Sequence, residues 1–114
     1  MTDCIFCRIA AGDIPTAKVF EDEDFIAFRD IRPQAPQHVQ IIPKCHIETI
    51  QDLTDSDSAI AGKMVLIANQ IARDFGIAGQ GYRLVFNCRG DGGQEVYHIH
   101  LHLLGGRKMG WPPG

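Results

Sequence analysis

Hydrophobic positions along this chain change period several times, and each change marks an element. Residues 4–11 set Ile5, Phe6 and Ile9 on one helical stripe, with Asp3 ahead as a cap and Gly12 behind as a stop, so a short helix is expected with Cys4 and Cys7 on a shared face. Residues 18–20 and 25–28 are β-like runs joined through Glu21-Asp22-Glu23-Asp24, the pattern of a hairpin with an acidic turn. Pro33 and Pro36 make 30–36 a loop, because proline lacks the N–H that a strand needs. A strand is expected over 38–42, ended by Pro43, then a brief helical turn within 47–53. The longest periodic segment follows: Thr54 and Asp57 have capping-box spacing, and Ile60, Met64, Ile67, Ile71 and Phe75 hold one face until Gly76. Residues 81–87 alternate, 89–94 are a Gly-rich turn and 96–104 alternate again, which predicts a terminal hairpin.

Strands, one long helix and then more strands define an α+β protein: a five-stranded antiparallel meander with one long helix and a short N-terminal helix, in a single domain over 1–114. The formal charge of −3 lacks the basic excess that gripping a nucleic-acid backbone requires, so no nucleic-acid partner is expected, while a free nucleotide stays compatible. The first residues carry no charged leader or apolar run, and nothing approaches the roughly 20 apolar residues of a membrane span; a cytoplasmic protein without a membrane partner is expected. In that compartment the four cysteines are thiols or metal ligands, with Cys45 and Cys88 read as ordinary thiols.

The chemistry concentrates in His98-Ile99-His100-Leu101-His102-Leu103-Leu104, where three of the five histidines fall on one face of a strand and the aliphatic residues on the other. Neighbouring histidines stand roughly 7 Å apart on a regular strand and the outer pair roughly 13 Å, too far to share one metal. Imidazole, with an ordinary pKa near 6.5, allows one neutral ring to attack while another carries charge. A neutral ring nitrogen is a competent nucleophile toward phosphorus, with cationic rings or N–H groups stabilising the oxygens.

This segment resembles the histidine triad motif, His-φ-His-φ-His-φ-φ with φ apolar, and the likeness to the nucleotide-binding branch of that superfamily extends over 4–9, 13–15, 28–31, 33–42, 81–87 and 91–114. The resemblance implies a homodimeric purine nucleoside phosphoramidase working through a covalent nucleotidyl-histidine. His100 matches the nucleophile, its tautomer set by the carbonyl of His98, and His102 and His38 match the histidines around the α-phosphate. Asn87, Gly93 and the backbone of Glu95 and Val96 match the phosphate shell; Asp30, flanked by Phe28 and Ile31, matches the ribose-binding carboxylate; Ile5, Phe6 and Ile9 match the base wall. The tail containing Trp111 matches one that reaches a partner's site. By pattern alone, Phe6, Ile9, Phe28 and Ile31 are core residues, Asn87 and Gly93 turn residues, Asp30 a turn cap and His38 an exposed histidine.

Two features depart from the better-known animal members of that branch. Glu95 stands where they have serine; its carboxylate repels the phosphate if ionised, so Glu95 either points away, leaving only its N–H in the site, or acts as a proton carrier. Cys4 and Cys7 have a spacing that fits a zinc site, a redox dithiol or two plain thiols, although the βαβ context of a redox dithiol is missing. By resemblance the pair binds structural zinc, completed by His46 and His98. Alternatives to a phosphoramidase are a dinucleoside polyphosphate hydrolase, a nucleotidyl transferase, or a nucleotide-binding scaffold protein.

Overall fold

A computed structural model describes residues 3–114. Helix α1 spans Ile5–Ala10; strands β1 (Lys18–Glu21), β2 (Phe25–Arg29) and β3 (Gln37–Pro43) follow; helix α2 spans Ser58–Asp74; then come β4 (Tyr82–Val85), the short helix α3 (Arg89–Gly92) and β5 (Leu101–Gly105). The fold class is the expected one, an antiparallel five-stranded sheet with one long and one short N-terminal helix. Within it the strand order is β1-β2-β3-β5-β4, so three strands meander and the last inserts beside β3. That position suits its sequence, since Leu101 and Leu103 are buried and both edges of β5 are paired.

The sheet separates two apolar layers. On one face Met64, Ile67 and Ile71 of α2 pack on Val39, Ile41, Leu101 and Leu103. On the other, Phe6 and Ile9 of α1 pack on Ile26, Phe28 and Ile42. Because strand side chains alternate, the α1 face also receives a row of register partners, Phe28, Gln40 and His102, running across β2, β3 and β5. This row is the floor of the candidate site.

Local differences from the sequence reading have identifiable causes. Cys4, not Asp3, caps α1, its Sγ accepting the Cys7 N–H at 3.3 Å. Gly12 ends that helix as expected, at φ +82°. The Asp57 carboxylate accepts from the Thr54 N–H at 2.9 Å, but this closes a 3₁₀ turn, Asp55–Asp57, that leads into α2. The turn expected within 47–53 is a 3₁₀ turn at Ile50–Asp52.

The largest difference is in 96–100, which alternates without being a strand. There Ile99 N–H donates to Ile47 O at 2.6 Å and the His98 carbonyl accepts from a side chain, so these backbone groups are satisfied outside the ladder. The residues before it also differ from a tight hairpin: Gln94 donates to the Glu48 and Val96 carbonyls and accepts from Arg89 N–H, folding 89–94 into α3 and a loop. Strands β4 and β5 are therefore paired neighbours with a long connection. No helix among the described residues is long and apolar enough to cross a membrane.

Candidate active site

On the α1 face of the sheet, a cleft of about 780 Å³ opens between α1, the β2–β3 loop and the loop before β5. Ile5, Phe6, Ile9, Phe28, Asp30, Ile31, His38, Asn87, Gly93, Glu95, Val96, His100 and His102 all line it, as do Arg32, Gln34 and Gln40, which sequence reasoning missed. Gln40 had a signal, two residues after His38 on the same strand; Arg32 and Gln34 sit in an aperiodic proline loop and had none. Trp111 does not line this cleft and is 83% exposed, its tail held by Arg83 donating to Gly110 O at 2.7 Å. Pattern alone misjudged Ile31, which is exposed, and His38, which is buried. Asp30 does cap a turn, its Oδ1 accepting Arg32 N–H at 2.8 Å, while its Oδ2 accepts from Gln40 Nε2 at 2.8 Å.

Backbone contacts assign a tautomer to each ring. His98 Nε2 is 2.7 Å from the Pro43 carbonyl, and a carbonyl only accepts, so the proton is on Nε2 and Nδ1 keeps its lone pair. His100 Nδ1 is 2.8 Å from the His98 carbonyl, which places the proton on Nδ1 and leaves the lone pair on Nε2. Gln34 N–H donates to His38 Nδ1 at 3.0 Å, so neutral His38 carries its proton on Nε2. That proton faces His102 Nδ1 at 2.9 Å and Asp30 Oδ2 at 3.5 Å. His102 therefore accepts at Nδ1 and presents Nε2–H, with its ring centroid 5.0 Å from that of His100.

Burial is the main cause that lowers the pKa of His38, His98, His100 and His102. Asp30 opposes the shift at His38; the neighbouring His100 and His38 deepen it at His102, which is pushed down to about 4. Burial thus works against a second proton on each of these rings, whereas the sequence reading expects a cationic ring beside a neutral one.

A second cluster lies behind the cleft. Cys7 Sγ is 3.2 Å from His46 Nδ1 and 3.5 Å from His98 Nδ1, Cys4 Sγ is 3.4 Å from His98 Nδ1, and the two Nδ1 atoms are 3.3 Å apart. Donors on a tetrahedral zinc shell stand roughly 3.3–3.8 Å apart, given bonds of about 2.0–2.1 Å to nitrogen and 2.3 Å to sulfur. The set fits zinc in donor type, number and spacing, with the His98 lone pair facing inward.

The HIT domain family model matches residues 11–109. The chain belongs to the HIT domain family. Its relatives include the purine nucleoside phosphoramidase of Escherichia coli K12, 48% identical over 108 residues that cover 95% of this chain and 91% of that one. Among solved structures, a HIT family hydrolase from Legionella pneumophila is 59% identical with a TM-score of 0.97, covering 98% of this chain and all of that one. A histidine triad protein from Clostridium difficile is 43% identical with a TM-score of 0.94, covering 96% of both chains. Within this HIT chain, Glu95 reaches across the cleft mouth toward Arg32, with 3.8 Å between Oε1 and Nη2 and both side chains exposed. The Glu95 carboxylate also acts on His100, favouring its protonated form.

Proposed function

We propose that this protein is a purine nucleoside phosphoramidate hydrolase that works through a nucleotidyl-His100 intermediate. The observation that carries the reading is that His100 Nε2 is the one cleft-facing ring nitrogen of the three histidines His38, His100 and His102 left with a lone pair. His100 Nε2 attacks the α-phosphorus and the P–N bond breaks; the leaving amine departs with a proton taken from solvent, while the His102 Nε2–H donates a hydrogen bond to the phosphate oxygens. Water then attacks the phosphorus, the bond to His100 Nε2 breaks, the proton of the water is lost to solvent, and the nucleoside monophosphate leaves with His100 neutral again. His38 contributes by holding His102 in the tautomer that presents Nε2–H.

The apolar wall of Ile5, Phe6, Ile9 and Phe28 suits a purine, and Asp30 suits its ribose. Asn87, Gly93, Glu95 and Val96 are assigned to the phosphate side, with Glu95 disfavouring long polyphosphate chains. Cys4, Cys7, His46 and His98 hold a structural zinc whose closed shell has no place for substrate. The protein acts as a homodimer, with Trp111 placed at the partner's cleft. The similarity to a phosphoramidase over 95% of the chain supports the choice of substrate.

His100→Asn tests the reading: turnover of an adenosine phosphoramidate bearing a fluorescent amine falls by at least about 10³-fold while AMP binding changes little, since the covalent step is lost and the pocket kept. Near-normal turnover by this variant overturns the mechanism.

A further inference from the structure

His98 belongs to two sites at once. Its ring stands among Cys4, Cys7 and His46, and its own carbonyl receives the His100 Nδ1–H at 2.8 Å. Helix α1 joins the same two sites, because it carries or caps with both cysteines while Phe6 lies edge-on to His98 and His100, with centroids at 6.0 and 5.2 Å. We propose that His98 is a positioning residue through which filling of the Cys4/Cys7/His46/His98 cluster holds His100 in its attacking tautomer. The inference rests on His100 being the nucleophile, as argued above.

The physical link is electrostatic crowding. Four soft or nitrogen donors at 3.2–3.5 Å turn lone pairs toward one another, which a cation relieves and protons relieve only in part. Without a cation the donors separate, and two of the groups that carry them, the His98 residue and α1, touch His100. The other anchor of the His98 ring, Pro43 O at 2.7 Å, fixes one nitrogen and leaves the ring free to tilt about it. A purely structural metal, by contrast, changes stability without changing the state of His100.

The test compares zinc-loaded, chelator-stripped and cobalt-reloaded wild-type protein under reducing conditions, at a temperature where circular dichroism shows the stripped chain folded. Three quantities are read: kcat and KM for an adenosine phosphoramidate, the ¹⁵N side-chain tautomer signals of His100, and the cobalt–thiolate absorption. Stripping is expected to lower kcat about tenfold with KM within about twofold, as loss of an outer orienting contact does, and to mix the His100 tautomers; cobalt restores both in step with its absorption. A folded, stripped protein with unchanged kcat and a single Nδ1–H tautomer overturns the proposal. If stripping unfolds the chain, Cys7→Ala read by the same criteria takes its place. A zinc-loaded wild-type protein that turns over no phosphoramidate refutes the proposed function, and the tautomer signals then decide the coupling alone.

Discussion

At one end of the triad the ring of His98 stands with Cys4, Cys7 and His46, and at the other the ring of His102 stands with His38 and Asp30; each set has its donor atoms within 4.8 Å of one another. Judged by residue type and distance, both are metal-like. They differ in where the backbone puts the protons. Pro43 O takes the proton of His98 to Nε2 and leaves a lone pair facing the thiols, whereas Gln34 N–H occupies Nδ1 of His38 and so places a proton on Nε2, among the donors. The first set offers its lone pairs to a cation; the second is already bridged by a proton and reads as a hydrogen-bond relay. Which ring nitrogen the main chain engages decides what a histidine does.

The sharpest way to break this comparison is to count metal. The protein is expected to hold one zinc per chain; Cys7→Ser reduces this to none and His38→Gln leaves it at one. Two zinc ions, or a loss caused by His38→Gln, would show that the clusters are not distinct in kind.

Next in size are the relay residues. His102→Ala removes the Nε2–H donor and is expected to lower kcat by about 10²-fold, while His38→Ala, which removes only the group that sets its tautomer, costs about tenfold. Equal losses would mean that His38 itself touches the reacting atoms.

A smaller effect follows from burial of the rings. Because the pKa of His102 is about 4 in the fold against an ordinary 6.5, the unfolded chain binds more protons between those values, and stability rises with pH across the window. Acidification from pH 6.5 toward 4 therefore costs about 3 kcal/mol from His102, with His38 adding in the same direction. Urea unfolding at several pH values measures this, and the slope should lessen in His102→Gln. A slope unaltered by that substitution would place the titrating group elsewhere.

The smallest change is expected at the cleft mouth. The Arg32–Glu95 pair is exposed and contributes little to stability, so Glu95→Ser should leave unfolding unchanged within about 0.5 kcal/mol. Its effect should fall on leaving-group preference, by less than about tenfold in kcat/KM between cationic and neutral amines. Identical preference in both proteins would remove Glu95 from the specificity account.

Much of this was legible in the chain. The long amphipathic helix was, because Met64, Ile67 and Ile71 each face the sheet, and so was the separation of His100 and His102 from Leu101 and Leu103. Strand limits near the triad were not, because residues 96–100 keep a period of two while their backbone groups bond to Ile47 O and the His100 ring, partners remote in sequence or in kind. The lowered pKa values of the rings were hidden for a similar reason: they arise from burial, which only the fold creates. Likewise, nothing local to Gln34 announces that its N–H sets the tautomer of His38.

The central claim, that the main chain prepares His100 alone to attack, is tested most directly by trapping the adduct. Wild-type protein mixed with an adenosine phosphoramidate, quenched within one turnover and digested, should give a single adenylylated peptide carrying the modification on His100. An adduct on His38, His98 or His102, or turnover with no adduct at any time point, would contradict the account.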